Sequence, residues 1–123
     1  MVWLSARGAE RITAPDAPVT VLDPKARVLN WPNRIRDDDW KGWVGERALL
    51  VPTLVDEHYS KILEMHDAGE NKNQNTLLVA PFGKGTVIYT TLAFQEQIPA
   101  GVSGALRLFV NLISAGLAAE PKR

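Results

Sequence analysis

The sequence predicts an α/β domain organised around a β-hairpin and a C-terminal helix. Residues 76–92 contain two aliphatic and β-branched runs that flank Gly83-Lys84-Gly85, and glycines accept the positive φ of a tight hairpin turn. Apolar residues then recur at helical spacing after Pro99, at Val102, Leu106, Phe109, Ile113 and Leu117. We therefore expect a mixed sheet of about four to six strands that carries an antiparallel hairpin and has the terminal helix packed on one face.

Both arms of the hairpin are apolar at nearly every position. The first arm reads Leu77–Ala80 and the second Val87–Tyr89, with no charged residue in either run. A strand that is solvated on one face alternates apolar and polar residues, whereas a strand buried on both faces does not. The hairpin is therefore predicted to be covered on both faces.

A strand and a short helix are predicted upstream of the hairpin. Val19–Leu22 reads as a strand that ends at the turn-forming pair Asp23-Pro24. Acidic residues at 37–39 suit the positive end of a helix of one or two turns. Such a helix would bring Trp40 and Trp43 onto one face.

Between this helix and the hairpin the sequence predicts two strands and a loop. Ala48–Val55 reads as a strand with Pro52 as an interruption, because a proline inside a strand indicates an edge or a bulge. Residues 61–65 read as a further strand or as one helical turn. Residues 68–75 are polar and contain a glycine, so we expect an exposed and mobile loop there.

The composition is that of one small globular domain without a strong charge. The 123 residues are 46% hydrophobic and 23% charged, and 14 basic residues balance 14 acidic residues. A chain of this length forms one domain, here residues 1–123, and a net charge of zero lacks the basic surface that nucleic-acid binding requires. Because charge repulsion between copies is weak, we expect a homo-oligomer.

Several residue types and segments are missing from the sequence, and their absence excludes several classes of site and of protein. No cysteine is present, which excludes disulfides, thiolate metal sites and a cysteine nucleophile. No apolar run approaches the roughly 20 residues of a membrane helix, and the N-terminus lacks the apolar stretch of a signal peptide. We therefore expect no membrane association and a cytoplasmic location by default, with a secreted or periplasmic parent protein left open.

Asp56 and His58 are the candidate metal ligands. On an extended segment these two side chains point to the same side and can share a metal ion or a proton. A zinc site usually needs three or four ligands, and the spacing of His66 and Asp67 does not demand their participation. Solvated charges at the end of a strand are the alternative interpretation, which we favour. No cofactor is predicted.

The remaining chemical motifs have structural explanations. Asp37–Asp39 lack the central glycine and closing glutamate of an EF-hand. Gly83-Lys84-Gly85 lacks both the spacing and the following helix of a phosphate-binding loop. No serine lies in a Gly-x-Ser-x-Gly nucleophile elbow, so the sequence contains no recognisable catalytic set.

A tryptophan-rich region is the candidate ligand site. Trp31, Trp40 and Trp43 fall close together in the sequence, and their rings would suit stacking on a sugar. With Asn33 and Arg34 they form the predicted ligand-binding set. Packing of the same aromatic residues in a core or an interface is the alternative, and we favour it over ligand stacking.

The order of several segments resembles a known protein family. These segments are Val19–Asp23, Asn30-Trp31-Pro32-Asn33-Arg34-Ile35, and the run from Asp39 to Arg47 that contains Gly-Trp-x-x-Glu-Arg. They are similar to the C-terminal part of the class I glutamine-amidotransferase-like domain that accompanies LmbE/PIG-L-type N-acetylglucosaminyl deacetylases. The hairpin and helix, LLVAPFGKGTVIYTTLAFQEQIPAGVSGALRLFVNLI, are similar to the same family and to trehalose-utilisation-type proteins. The resemblance extends from about Thr13 to Ala115.

The resemblance implies a flavodoxin-like, amidotransferase-like partial α/β sandwich, of which this chain forms roughly the C-terminal half. It carries no catalytic residue over to this chain. Trehalose-utilisation-type members end the second hairpin strand in Leu-Gly-His, whereas this chain has Leu92-Ala93-Phe94. The His-Pro-Asp-Asp zinc motif of the deacetylases does not occur either, so the resemblance argues for the fold and against an enzyme.

Three functions remain open from the sequence. The first is a non-catalytic binding or scaffolding domain, linked by the resemblance to carbohydrate or to a deacetylase domain. The second is a hydrolase, either as a fragment of or accessory to an LmbE/PIG-L-type enzyme or through a metal ion held by Asp56 and His58. The third is a purely structural subunit that joins another chain.

Overall fold

The chain forms a mixed α/β structure of short antiparallel strands and few helices, in a computed structural model that describes residues 3–5 and 9–117. The strands of this part are β1 (Leu4–Ser5), β2 (Glu10–Ile12), β3 (Val19–Val21), β4 (Ala48–Val51), β5 (Leu54–Val55), β6 (Ser60–Lys61), β7 (Leu63–Met65), β8 (Leu77–Phe82) and β9 (Gly85–Thr90). The helices are α1 (Phe94–Gln97) and α2 (Ser103–Ile113), and two 3₁₀ turns cover Arg27–Leu29 and Asp37–Trp40.

Every strand pair in the described residues is antiparallel. The sheets are β1–β5, β2–β4, β3–β7 and the three-stranded β6–β8–β9. The expected single mixed sheet is therefore wrong. Parallel strands need a crossover of a dozen or more residues, usually a helix, and both α-helices here follow the last strand. For the same reason the flavodoxin-like sandwich is not confirmed.

The predicted hairpin is confirmed. Strands β8 and β9 pair along their whole length, and Phe82 lies opposite Gly85, which leaves a two-residue loop of Gly83 and Lys84. Gly83 has φ +59°, in the left-handed region that glycine enters without steric cost.

The first arm of the hairpin is covered on both faces at its base, as predicted, whereas the second arm, Val87–Tyr89, is only partly buried. Successive strand residues point to opposite faces, yet Leu77 and Leu78 are both fully buried. Leu77 packs in the main core, whereas Leu78 packs with Tyr59 and Ala80 in a second, smaller cluster on the other face. Covering ends toward the tip, because residues 81–86 are exposed. The hairpin thus separates two apolar clusters.

Helix α2 buries a different face from the one that the sequence predicts. Its buried residues are Gly104, Ala105, Leu108 and Asn111. In the predicted stripe Val102 is buried and Phe109 partly buried, but Leu106, Ile113 and Leu117 are exposed. The helix makes its main contacts with the two 3₁₀ turns and with α1, not with the hairpin expected to receive it. Gly104 contacts the second 3₁₀ turn at Asp39 and Asn111 contacts the first at Val28, so an apolar pattern does not reveal this face.

Two predicted segments differ from the structure in informative ways. The strand predicted over Ala48–Val55 is split at Pro52 into β4 and β5. In the loop predicted to be exposed, Asn73 and Asn75 are buried. The Asn75 side chain donates to the Pro52 carbonyl at 2.8 Å, so the polar loop supplies the hydrogen bond that this break in the strand requires.

Neither α1 nor α2 has the length of a bilayer-spanning helix. Within residues 3–5 and 9–117, no helix combines the length and the hydropathy that crossing a membrane requires.

Candidate functional site

A cavity of about 290 Å³ lies between two loops near the N-terminal half of the chain. We call it the Arg47 cavity, and its lining residues are Pro15, Asp16, Ala17, Pro18, Trp40, Lys41, Gly42, Trp43 and Arg47. This volume is near the lower end of the range for small-molecule sites, ~300–1,000 Å³. Two of the five predicted ligand-binding residues, Trp40 and Trp43, therefore line one cavity.

The second 3₁₀ turn positions the two tryptophans. Asp39 closes the turn on itself, because its Oδ2 accepts the Arg36 backbone N–H at 2.8 Å. The Trp43 indole Nε1 donates to the Asp39 carbonyl at 3.0 Å, and the Trp40 and Trp43 ring centroids are 5.5 Å apart. Both rings are buried, at 8% and 5% exposure, so they belong to the core and offer the cavity only part of their surface.

Gln97 of α1 holds the segment that leads to Arg47. Its side-chain oxygen accepts the Val44 backbone N–H at 2.7 Å. Its nitrogen donates to the carbonyls of Val44 and Glu46, at 2.7 and 3.1 Å. Gln97 is fully buried, so each of these bonds forms away from water and fixes the path of the loop.

The backbone of Arg47 is held from both sides. Its N–H donates to the Ile12 carbonyl at 2.9 Å, and its carbonyl accepts the Ala93 N–H at 2.8 Å. The residue as a whole is only 4% exposed. Nε donates to the Ala17 carbonyl at 3.1 Å and Nη1 donates to the Trp40 carbonyl at 2.8 Å. The guanidinium thus joins the two loops that form the cavity.

The charge of Arg47 has no carboxylate partner within ion-pair distance among the described residues. Its guanidinium carbon lies 5.3 Å from the Trp43 ring centroid and 6.0 Å from that of Trp40, which places the cation over two π-faces. Burial lowers the pKa of Arg47 to about 10, and the charge of Asp16 offsets this only in part. The group therefore remains a cation near neutral pH.

The other three predicted ligand residues lie outside the Arg47 cavity and contact helix α2 or its neighbours. The Asn33 side chain donates to the Arg107 carbonyl at 3.2 Å, and the Arg34 carbonyl accepts from Arg107 Nη2 at 2.9 Å. Trp31 is partly buried, with the Arg27 guanidinium carbon 4.5 Å above its ring, and the Trp31–Pro32 peptide bond is cis. This segment is held by the helix and does not line the cavity.

Asp56 and His58, the predicted metal ligands, do contact each other. Their Oδ1 and Nδ1 atoms are 2.8 Å apart, and Asp56 Oδ1 also accepts the His58 backbone N–H at 3.1 Å. These bonds from His58 lower the pKa of Asp56, despite its burial. Within the described part of the chain, no group of three or more His, Cys, Asp or Glu side chains is arranged to hold a metal ion.

Asp67 has a structural role, and His66 Nδ1 lies 2.9 Å from the Asp67 carbonyl oxygen. Asp67 accepts the Thr13 N–H, the Thr13 hydroxyl and the Ala14 N–H, each at 2.8 Å. Burial raises the pKa of Asp67, but these hydrogen bonds together lower it below its ordinary value. The carboxylate anchors the loop that carries Pro15–Pro18, which is one wall of the Arg47 cavity.

Sequence reasoning did not identify Arg47 or Gln97 as site residues. Arg47 stands at the end of the Gly-Trp-x-x-Glu-Arg run, directly before the apolar β4, which is an unusual place for a solvated charge. That position could have indicated that Arg47 is buried. Nothing in the local sequence of Gln97 marks it as buried, since it follows another glutamine and a glutamate.

Comparison with protein-family models, with curated proteins and with solved structures finds no match to this chain. The resemblance to amidotransferase-like domains therefore stays a prediction from sequence. The function has to be inferred from the geometry of the Arg47 cavity.

Proposed function

We propose that this chain is a non-catalytic binding module whose ligand occupies the Arg47 cavity. The observation that carries the proposal is Arg47 itself, a buried cation without an ion-pair partner among the described residues, at the edge of a cavity of ligand size. Burying a charge is costly unless it is paired and hydrogen-bonded. A bound ligand would supply the missing partner.

The lining of the cavity suits binding better than chemistry. It contains one carboxylate, Asp16, and two cations, Lys41 and Arg47, but no histidine, serine or tyrosine. With a pKa of about 10, Arg47 does not exchange protons near neutral pH. A fixed cation beside two aromatic rings orients a ligand without reacting with it.

We propose carbohydrate as the class of ligand, on the basis of the resemblance to amidotransferase-like domains associated with deacetylases. Trp40 and Trp43 are consistent with this proposal because both aromatic residues line the cavity. In the same proposal the chain acts beside a catalytic partner, such as a deacetylase domain, and does not itself hydrolyse the sugar.

The proposal is tested by titrating the protein with monosaccharides and following the indole N–H signals in ¹⁵N correlation spectra. The chain has four tryptophans, so each indole N–H signal can be assigned to one tryptophan position. We expect at least one sugar to shift the Trp40 and Trp43 signals saturably while Trp3 and Trp31, which do not line the cavity, stay unchanged. If no sugar shifts either cavity signal at ~10 mM, a concentration that detects Kd values in the millimolar range, the proposal is wrong.

A second candidate, a metal-dependent hydrolase, is favoured by the contact between Asp56 and His58. A carboxylate that orients an imidazole is a common element of general-base and metal sites. Metal analysis of the purified protein tests this candidate. Stoichiometric metal that is lost in His58→Ala would favour it over the binding module.

We also propose that the chain self-associates through one exposed face of α2. Leu106, Val110 and Ile113 follow one another at spacings of four and three residues, and exposed Leu117 follows the helix; we call these four residues the α2 stripe. A 4-3 spacing is the pattern by which one helix packs along another, and a stripe without charge is complementary to a second copy of itself. The zero net charge of the chain favours this pairing.

A further inference from the structure

We infer that the Arg47 cavity selects a ligand that carries a carboxylate, such as a uronic acid, and that Arg47 is the residue that recognises it. This inference rests on the proposed binding function and adds the chemical class of the ligand. Some guanidinium N–H groups of Arg47 donate to the protein, while others have no acceptor among the described residues.

An arginine side chain has five N–H donors. At Arg47, Nε and Nη1 each donate to one backbone carbonyl, of Ala17 and Trp40. Nη2 makes no hydrogen bond to any described residue, and it is not among the buried atoms that lack a partner. Nη2 is therefore not completely buried, and it belongs to a residue that lines the cavity. The fold anchors the guanidinium by two donors and leaves Nη2 for a ligand.

The two protein acceptors are neutral. Carbonyl oxygens satisfy hydrogen bonds, but they do not cancel a positive charge. Asp16 lies on the cavity wall outside ion-pair distance of Arg47. Its negative charge raises the pKa of the guanidinium but does not restore the ordinary value. A ligand carboxylate at Nη2 would supply both the acceptor and the charge.

The remaining charges at the cavity are consistent with an anion. Lys41 lines the same cavity, and its ammonium is paired with exposed Asp38 at 2.9 Å. Asp16 is the one carboxylate in the lining, so it competes with an anionic ligand for Arg47. Removing the charge of Asp16 is therefore expected to strengthen binding of an anion.

The test compares glucuronate, glucose and acetate at constant ionic strength, with the Trp40 and Trp43 indole signals as the readout. We expect saturable shifts with glucuronate and binding of glucose that is weaker by roughly tenfold or more, because glucose lacks the charged acceptor. Acetate carries a carboxylate without a sugar ring, so it distinguishes recognition of the carboxylate alone from recognition of a uronic acid. Binding of acetate as tight as that of glucuronate would support recognition of a carboxylate and overturn the sugar ring as part of the ligand.

Two other outcomes overturn the inference and are distinguishable from each other. If glucose binds as tightly as glucuronate, the carboxylate inference is wrong while the binding module stands. If neither sugar nor acetate shifts the cavity signals, the proposed function fails and the inference fails with it.

Variants at Arg47 and Asp16 test whether Arg47 binds the ligand carboxylate. Arg47→Gln should abolish the preference for glucuronate, but this buried residue joins two loops, so the variant can also fail to fold. Asp16→Asn avoids that problem because Asp16 is exposed. We expect it to tighten glucuronate binding roughly three- to tenfold. The matched control, Glu57→Gln, removes an exposed carboxylate outside the cavity and should leave the affinity unchanged. Equal affinities of wild type and Asp16→Asn would contradict a carboxylate bound beside Arg47.

Discussion

Asn33 and Asn111 exchange hydrogen bonds between a loop and the inner face of helix α2. The Asn33 backbone N–H donates to Asn111 Oδ1 at 2.8 Å, and Asn111 Nδ2 donates back to the Asn33 carbonyl at 2.7 Å. The same Nδ2 donates to the Val28 carbonyl at 2.9 Å, and Asn111 is fully buried. One side chain therefore attaches the loop that contains Asn33 and the first 3₁₀ turn to the helix.

Replacing Asn111 by alanine should destabilise the protein by about 2–4 kcal/mol. The substitution leaves the Asn33 N–H and the Val28 and Asn33 carbonyls without their buried partner. Urea unfolding of wild type and Asn111→Ala measures the difference. Asn71→Ala, at an exposed asparagine, is the control and should change the free energy of unfolding by less than about 0.5 kcal/mol.

Gly104→Ala should be strongly destabilising because of one backbone contact. A Cβ atom at Gly104 would lie 1.8 Å from the Asp39 carbonyl oxygen, so α2 and the second 3₁₀ turn would have to separate. We expect a loss of about 2–4 kcal/mol and weaker ligand binding, since the same turn positions Trp40 and Trp43. Gly116→Ala has no atom within 4 Å of its added Cβ and should be neutral within about 0.5 kcal/mol. Equal thermal midpoints for the two variants would contradict the close contact.

Gln97→Glu tests whether the amide of Gln97 is needed. Its nitrogen donates to the Val44 and Glu46 carbonyls, and a carboxylate oxygen at that place would face two acceptors with no proton to share. We expect a loss of about 2–3 kcal/mol at neutral pH, measured by urea unfolding. Gln95→Glu adds the same charge at an exposed position two residues earlier and should have little effect.

Asp67 should make stability depend on acid pH. Its folded-state pKa is lowered, so its contribution to stability is present above its unfolded-state pKa of about 4 and is lost as the pH falls through the folded-state value. Asp67→Asn should cost about 1–2 kcal/mol at pH 7 and should weaken the loss of stability below about pH 4. Unfolding at pH values from 7 to ~2 measures both effects. Asp37→Asn, at an exposed carboxylate, should keep the wild-type acid dependence.

Ile113→Glu should reduce self-association. Ile113 is 65% exposed at the centre of the α2 stripe, and a charge there would be buried in a pair of helices. Light scattering of the purified chain should show a dimer for the wild type and a monomer for the variant. Leu54→Glu changes an equally exposed leucine, at 62%, on β5 and should leave the mass unchanged. A wild-type monomer at high concentration would contradict the proposed interface.

The elements that depend on local rules were predictable from the sequence. The hairpin follows from two apolar runs around a glycine turn, and the burial of its first arm on both faces follows from the lack of alternation at Leu77–Ala80. The strand at Val19–Val21 and the acidic turn before Trp40 were also predicted, because turn and capping preferences act over a few residues. These local preferences do not specify which strands pair across the chain.

Only the tertiary structure decided the pairing of the strands, the buried face of α2 and the position of the cavity. Gly104, Gln97, Asn111 and Arg47 are buried through contacts with residues far away in the sequence, and none of them has an apolar side chain that a periodic pattern would count. Hydrophobic periodicity reports which residues avoid water, whereas the burial of a polar group depends on a partner that the fold brings to it. The sequence by itself therefore determined the hairpin and the existence of the terminal helix, and the distant hydrogen-bond partners determined where the helix packs and where the Arg47 cavity lies.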